Sequence, residues 1–249
     1  MIVLKVVFHL PQRATRGLVC SLVHLLGLDL PVPHQTILSR RAATLEVLLP
    51  RKSKDEPLHA VFDSTGLKVY GEGEWKVRLY GYKKRRTWRK LHLGIDAQTQ
   101  EVIAQVATTN NISDKEVLPD LLEQIDEPIK QVTTDGGYDY VSCYEAIAER
   151  KARAVIPPRR TGRLNPRDER FRARDKNLRE IRKMGRRRWK RMRKYHRRSL
   201  VETAIMRVKR IFGERLSGKK FLNQATEMFI RCAALNRMTH LGMPESYAI

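Results

Sequence analysis

The order in which extended and helical patterns follow one another between Leu58 and Pro158 constrains this chain more than any other feature. Residues 58–70, LHAVFDSTGLKVY, alternate as a strand does, and Gly71, Gly73 and Gly81 after them suit a turn or loop. Trp88 to Ile95 and Glu101 to Ala107 read as two more strands, joined by the polar turn DAQTQ. Ser113 with Glu116 three residues on then makes a capping box that opens a helix to about Ile125. IKQVTT gives a short strand, Tyr140 to Lys151 a helix and ARAVIPP a last strand. Three successive strands followed by helix, strand, helix and strand require a mixed sheet with helices packed on its faces.

Upstream the period changes to 3.6. Residues 1–49 read as all-helical, beginning with MIVLKVVFHL, which Lys5 interrupts and which reads as part of a helix, not as a signal peptide. Leu18, Val19, Leu22, Val23 and Leu26 place an apolar stripe on a helix from Arg13 to Leu26, and Gly27 with Leu30-Pro31-Val32-Pro33 ends it. A second helix after Pro33 carries Gln35, Thr36, Ser39, Arg40 and Arg41. The pair is either a helix-turn-helix with Arg40 and Arg41 on the DNA-facing member or a plain helical hairpin. Pro50 to Pro57, PRKSKDEP, is charged, proline-bounded and without periodicity, so it reads as a linker between a region at 1–49 and a domain at 58–249.

Charge narrows the partner. The chain holds 50 Lys and Arg against 27 Asp and Glu, a formal net of +23, which points to a polyanion, nucleic acid before an anionic membrane surface. No apolar run approaches a membrane span, and Cys20, Cys143 and Cys232, far apart and without CxxC spacing, read as reduced thiols of a cytoplasmic protein. The seven His residues show no ligand spacing, so zinc is not expected. Residues 159–198 alone hold 20 Lys and Arg against 4 Asp and Glu, with Arg186, Arg187 and Arg188 consecutive. Leu178, Ile181, Met184, Trp189, Met192 and Tyr195 recur through this segment at near-helical spacing, so part of it reads as a helix docked on one side. A second basic patch with interleaved aromatics, residues 78–90, contains Lys83, Lys84, Arg85 and Arg86.

Three acids stand out within this basic chain. Asp63 lies inside an apolar strand, Asp135 ends IKQVTT at a Gly-Gly turn, and Glu202 sits in YHRRSLVETAIMRVK, residues 195–209. As a helix, that stretch places Val201, Ile205, Val208 and Phe212 on one stripe, with Tyr195, Arg198, Glu202 and Lys209 a quarter-turn away. Each acid has a plainer reading: a satisfied structural acid, an ordinary Asp-Gly-Gly turn, and a solvated Arg198–Glu202 helix pair. The element order matches an RNase H-like domain, which would set Asp63 and Asp135 on neighbouring strands and bring Glu202 to them. Three carboxylates suit Mg²⁺, or Mn²⁺ in its place, with two ions expected, and phosphoryl chemistry. Asp114, Asp120, Asp126 and Asp139 read as surface or capping acids, Asp139 being near enough to Asp135 to support it. His92 and His196 are solvated or assist near the site.

Tyr195, Arg198, Glu202 and Lys209 fit Tyr-x2-Arg-x3-Glu-x6-Lys at every position, and FDSTGLKVYGEGEWK and TTDGGYD look like the accompanying aspartate regions. The chain thus resembles the DDE transposases of bacterial insertion sequences, the large family numbered five, from FHLPQR to the MPES near its end. The resemblance implies that Asp63, Asp135 and Glu202 form a catalytic, metal-holding triad. It also implies that Tyr195, Arg198 and Lys209 contact DNA near the cleaved phosphate, and that Ser64, Thr65, Gly136 and Gly137 shape the turns. The implied activity is metal-dependent cleavage at element ends and strand transfer into target DNA, by a homo-oligomer associated with the nucleoid. Members of that family usually begin several dozen residues further upstream, so the end-recognition region at 1–49 is expected to be truncated. The alternatives are a truncated derivative that occupies DNA without cutting it and a non-mobile RNase H-type nuclease.

Overall fold

The computed structural model describes residues 1–51, 56–69 and 88–242. The glycines at 71, 73 and 81, the basic loop with Lys83, Lys84, Arg85 and Arg86, most of the linker and the terminal MPES lie outside the described residues. Within them the chain forms two compact units. One gathers Met1–Pro50, Leu67–Arg89 and Arg207–Ile249, and the other Arg51–Gly66 and Lys90–Met206.

The second unit is built on the sheet. The strands are β1 (Leu58–Val69), β2 (Trp88–Asp96), β3 (Val102–Thr109), β4 (Ile129–Thr133) and β5 (Arg153–Val155), in the spatial order β3-β2-β1-β4-β5, with the end of β1 from Leu67 and the start of β2 up to Arg89 grouped in the first unit. β1 with β4 and β4 with β5 are parallel. Such pairs need crossover connections, and the expected helices supply them. A helix at Asp114–Glu123 (α4 in chain order) precedes β4, and one at Val141–Glu149 (α5) lies between β4 and β5. Ser113 Oγ donates to Glu116 Oε1 at 2.6 Å, so the capping-box residues meet through their side chains. Leu118, Leu121, Ile125, Phe62, Val132, Tyr138 and Ile147 join one buried core, which fixes the inward faces of both helices. The fold is RNase H-like: a mixed six-stranded sheet flanked by helices, with a helical N-terminal region.

The basic segment folds as two helices, α6 (Arg172–Met184) and α7 (Arg186–Met192), not one. Gly185 between them has φ of 81°, a value that breaks the helix and that a side chain would resist. Leu178 and Trp189 are buried, whereas Met192 is 56% exposed, so the expected apolar stripe is buried only in part. Glu180 closes the corner, accepting from Trp189 Nε1 at 3.1 Å and pairing with Arg193. Residues 195–209 also differ from one continuous α-helix. Lys194 is left-handed at φ of 53°, Tyr195–Arg198 is a 3-10 turn, and α8 begins at Ser199 and runs to Phe212. Along α8, Val201, Ala204, Val208 and Phe212 are buried and Ile205 is half-buried.

The first unit contains α1 (Ile2–Val7), α2 (Gln12–Leu25), α3 (Gln35–Ala42) and α9 (Phe221–Leu241). It also contains β6 (Arg215–Leu216), which pairs in parallel with Lys68 and Val69. Thr226 Oγ1 donates to the Ala42 carbonyl at 2.6 Å and Asn236 Nδ2 to that of Pro50 at 3.0 Å, tying the N-terminal helices to α9. The α2 stripe is half covered, Leu18, Val19 and Val23 being half-buried and Leu22 and Leu26 exposed. Arg40 and Arg41 are exposed on α3. Cys143 and Cys232 are buried free thiols, and burial pushes the latter up to about 12. No helix among the described residues is long and apolar enough to cross a membrane.

Candidate active site

The parallel register pairs Val61 with Thr133. Two residues further along each strand direction, on the same alternating face, come Asp63 and Asp135. Asp63 is inside β1, and its Oδ1 accepts from the Ser64 amide at 2.8 Å. Asp135 follows β4 directly and caps the 3-10 turn Gly136–Tyr138, its Oδ1 accepting from the Gly137 amide at 2.8 Å. Glu202 is in the first turn of α8, where the helix dipole favours an acid.

Arg198 joins two of the three acids. Its Nη1 donates to Asp63 Oδ2 at 3.1 Å and its Nη2 to Glu202 Oε1. The pair with Glu202 has the spacing of an ordinary helix ion pair, but the second hand of the guanidinium reaches β1, 135 residues away. Burial raises the pKa of Asp63, and the charges of Asp135 and Glu202 add to it, against the lowering by the Ser64 amide and Arg198. Two like charges therefore bear on Asp63, and the acids are electrostatic neighbours within the second unit. Burial opposes the charge on Arg198, but Tyr195, Glu202, Asp63 and Asp135 together hold its proton more firmly than usual. Tyr195 is half-buried, its ring 6.2 Å from that of Trp189, and burial raises its phenol.

A polar row lies behind the acids on the same faces of β1 and β4. His59 Nε2 is 2.9 Å from Thr133 Oγ1, and Gln131 Nε2 is 3.0 Å from His59 Nε2. Gln131 also donates to the carbonyl of Arg193 at 3.0 Å, holding the segment that leads into Tyr195. Burial pushes His59 down to about 4, so it is neutral near pH 7. These residues went unmarked in the sequence. The signal was there, since 59, 61 and 63 and 131, 133 and 135 share the acids' alternation.

The remaining candidates are spread more widely. Lys209 is half-buried on the part of α8 that belongs to the first unit. Arg187 and Arg188 are exposed on α7, whereas Arg186 Nη2 is held by the carbonyl of Pro158 at 2.7 Å. Asp139 is buried, not a surface acid, and so is His92. As the side chains stand, no group of three or more His, Cys, Asp or Glu among the described residues is set to hold a metal ion, Arg198 being bonded to two of the acids.

The RNase H-like sheet thus carries one acid, Asp63, inside β1 and another, Asp135, directly after the neighbouring β4. Two family models, each described as a transposase DDE domain, match the chain over residues 54–237 and 1–72. The first spans well over half of the sequence, and the chain belongs to the DDE transposases. No solved structure matches it significantly.

Proposed function

We propose that this chain is the transposase of an insertion sequence of family five, cutting DNA at the element's ends and joining the freed ends to a target. The observation that supports the reading is Arg198 bonded to both Asp63 and Glu202, with Asp135 ending the strand beside that of Asp63, at positions that the Tyr-Arg-Glu-Lys pattern and the two aspartate regions single out. The donor chemistry suits divalent ions: three hard carboxylate groups, of which Asp63 has its pKa raised by burial first and then by the charges of Asp135 and Glu202, with Arg198 supplying positive charge beside Asp63 and Glu202. Asp63, Asp135 and Glu202 would hold Mg²⁺ or Mn²⁺, whose chemistry is Lewis acidity at phosphorus and a water acidic enough to attack.

The chain's own groups set up the displacement. Water attacks the phosphorus at an element end, the bond to the 3′-oxygen breaks, and a 3′-hydroxyl is left on the element. That hydroxyl then attacks a target phosphorus, and the departing 3′-oxygen of the target takes a proton. Arg198 neutralises phosphate charge once it releases an acid, and Tyr195 and Lys209 contact the backbone nearby. Arg40 and Arg41 contribute to end recognition by the helical region at 1–49, while Lys83, Lys84, Arg85, Arg86, Arg186, Arg187 and Arg188 grip backbone around the catalytic domain at 58–249. The protein would act as a homo-oligomer on DNA at the nucleoid.

Asp63→Asn, Asp135→Asn and Glu202→Gln are each expected to abolish cleavage of a labelled end fragment in Mg²⁺ or Mn²⁺ while leaving its binding within about threefold. Retained metal-dependent nicking in any of the three would remove that residue from the triad. A wild-type chain that binds the fragment but cuts it in neither metal would favour the derivative that occupies DNA without catalysis.

A further inference from the structure

The turn that begins at Asp135 also forms one wall of a second feature. Asp139, at the turn's end, accepts from Tyr144 Oη at 3.1 Å, the Arg159 amide at 3.0 Å and Arg174 Nε at 3.0 Å. One buried carboxylate thereby ties the turn to the loop after β5 and to the start of α6. Between these three segments is an open cleft of about 490 Å³, lined by Tyr140, Arg159, Arg163, Asn165, Phe171 and Arg174 among others. That volume falls within the roughly 300–1,000 Å³ of sites that take a small organic group.

Its walls combine fixed cations with aromatic surface. Arg159 is exposed and held in place, its guanidinium 5.4 Å from the centre of the Tyr140 ring and its Nη2 3.1 Å from the phenol oxygen. Lys115 Nζ lies 3.9 Å from the same ring centre. Arg163 is exposed and makes no ion pair among the described residues, and only its carbonyl is used, accepting from Arg174 at 3.0 Å. Arg174 is matched to Asp139, so the lining cations left for a ligand are Arg159 and Arg163. Phe171 and Tyr140 offer partly exposed ring surface, and Asn165 an amide.

We infer that this cleft takes an unpaired stretch of DNA strand, with phosphates on Arg159 and Arg163 and a base against the aromatic wall. A recess lined by rings beside held arginines suits an unstacked nucleotide, whose base has a free face, better than a duplex, whose bases are covered. The inference rests on the reading of the chain as a transposase acting on DNA, and it gives the loop after β5 a strand-holding role separate from the acids.

The test uses the full chain in EDTA, so that no chemistry is needed, and anisotropy of a labelled oligothymidylate against a blunt duplex of the same length. Arg163→Ala and the double variant Arg159→Ala with Arg163→Ala are expected to weaken oligothymidylate binding, the double variant about tenfold. The double variant should also lower the salt slope for the single strand by about 1.4, at about 0.7 per phosphate. Duplex affinity should stay within twofold. Phe171→Ala should weaken the single strand about fivefold with no change in that slope. Equal loss on both DNAs, or unchanged oligothymidylate binding by Arg163→Ala, whose side chain no described ion pair needs, would overturn the proposal and leave the cleavage reading intact. Failure of the unaltered chain to bind either DNA would overturn both.

Discussion

Three separate segments converge on Asp139. Its side chain is 1% exposed and paired with Arg174, and removing one partner of a buried pair leaves an uncompensated charge. Asp139→Ala is therefore expected to cost about 3 kcal/mol in urea unfolding. A loss below about 1 kcal/mol would mean that water replaces the carboxylate. The sequence placed Asp139 near Asp135 but could not mark it as buried, because the donors that satisfy it stand 20 and 35 residues further along. Asp63 was legible for the opposite reason: an acid inside an apolar strand is conspicuous without knowledge of its partners. The pair of hydrogen bonds from Arg198 was half legible, since its helical neighbour Glu202 can be counted off in sequence and its strand partner cannot.

Among the elements, the strands of the sheet could be read as short extended runs bounded by turn signals, β2 among them although it is buried at every position from Leu91 to Asp96. β6 could not, being two residues long and defined by pairing with Lys68 and Val69, not by any pattern of its own. The 3-10 turn before α8 was hidden as well, because Tyr195 and Arg198 keep nearly the same face in either helix type. The polar face shared by β1 and β4 makes stability depend on pH. His59 on this face and His92 on β2 are both lowered by burial to about 4, against 6.5 for the unfolded group. Between those values the unfolded chain binds protons that the native one refuses, so stability falls as pH falls from about 6.5 toward 4 and is fully present above. Each His contributes a slope of up to about 1.4 kcal/mol per pH unit in that window. The raised carboxyl of Asp63 acts in the opposite sense, gaining stability as it protonates. Thermal melts of the wild type and His59→Asn from pH 7 to 4 check this: the variant should show a shallower decline, and parallel curves would assign the acid sensitivity elsewhere.

For the molecule as a whole, the dominant quantity is charge, +23 in all, and it was fully legible. The division into units was less so, since Leu67–Arg89 and Arg207–Ile249 group with the N-terminal helices through contacts that no local pattern announces. Binding to duplex DNA is expected to weaken linearly in log affinity against log salt, by about 0.9 for each phosphate engaged. Arg187→Gln with Arg188→Gln, both exposed on α7, should reduce that slope by about 1.8, measured by anisotropy across a salt series. A slope the substitutions leave unchanged would place these arginines off the DNA.

The hydrogen bond from the Gly137 amide to Asp135 has a consequence for how far this chain can drift. A β-carbon at position 137 would meet Asp135 Oδ1 at 2.9 Å, closer than real side chains come. A side chain added there would push the Asp135 carboxylate aside, so a change at position 137 also shifts the aim of the acid beside it.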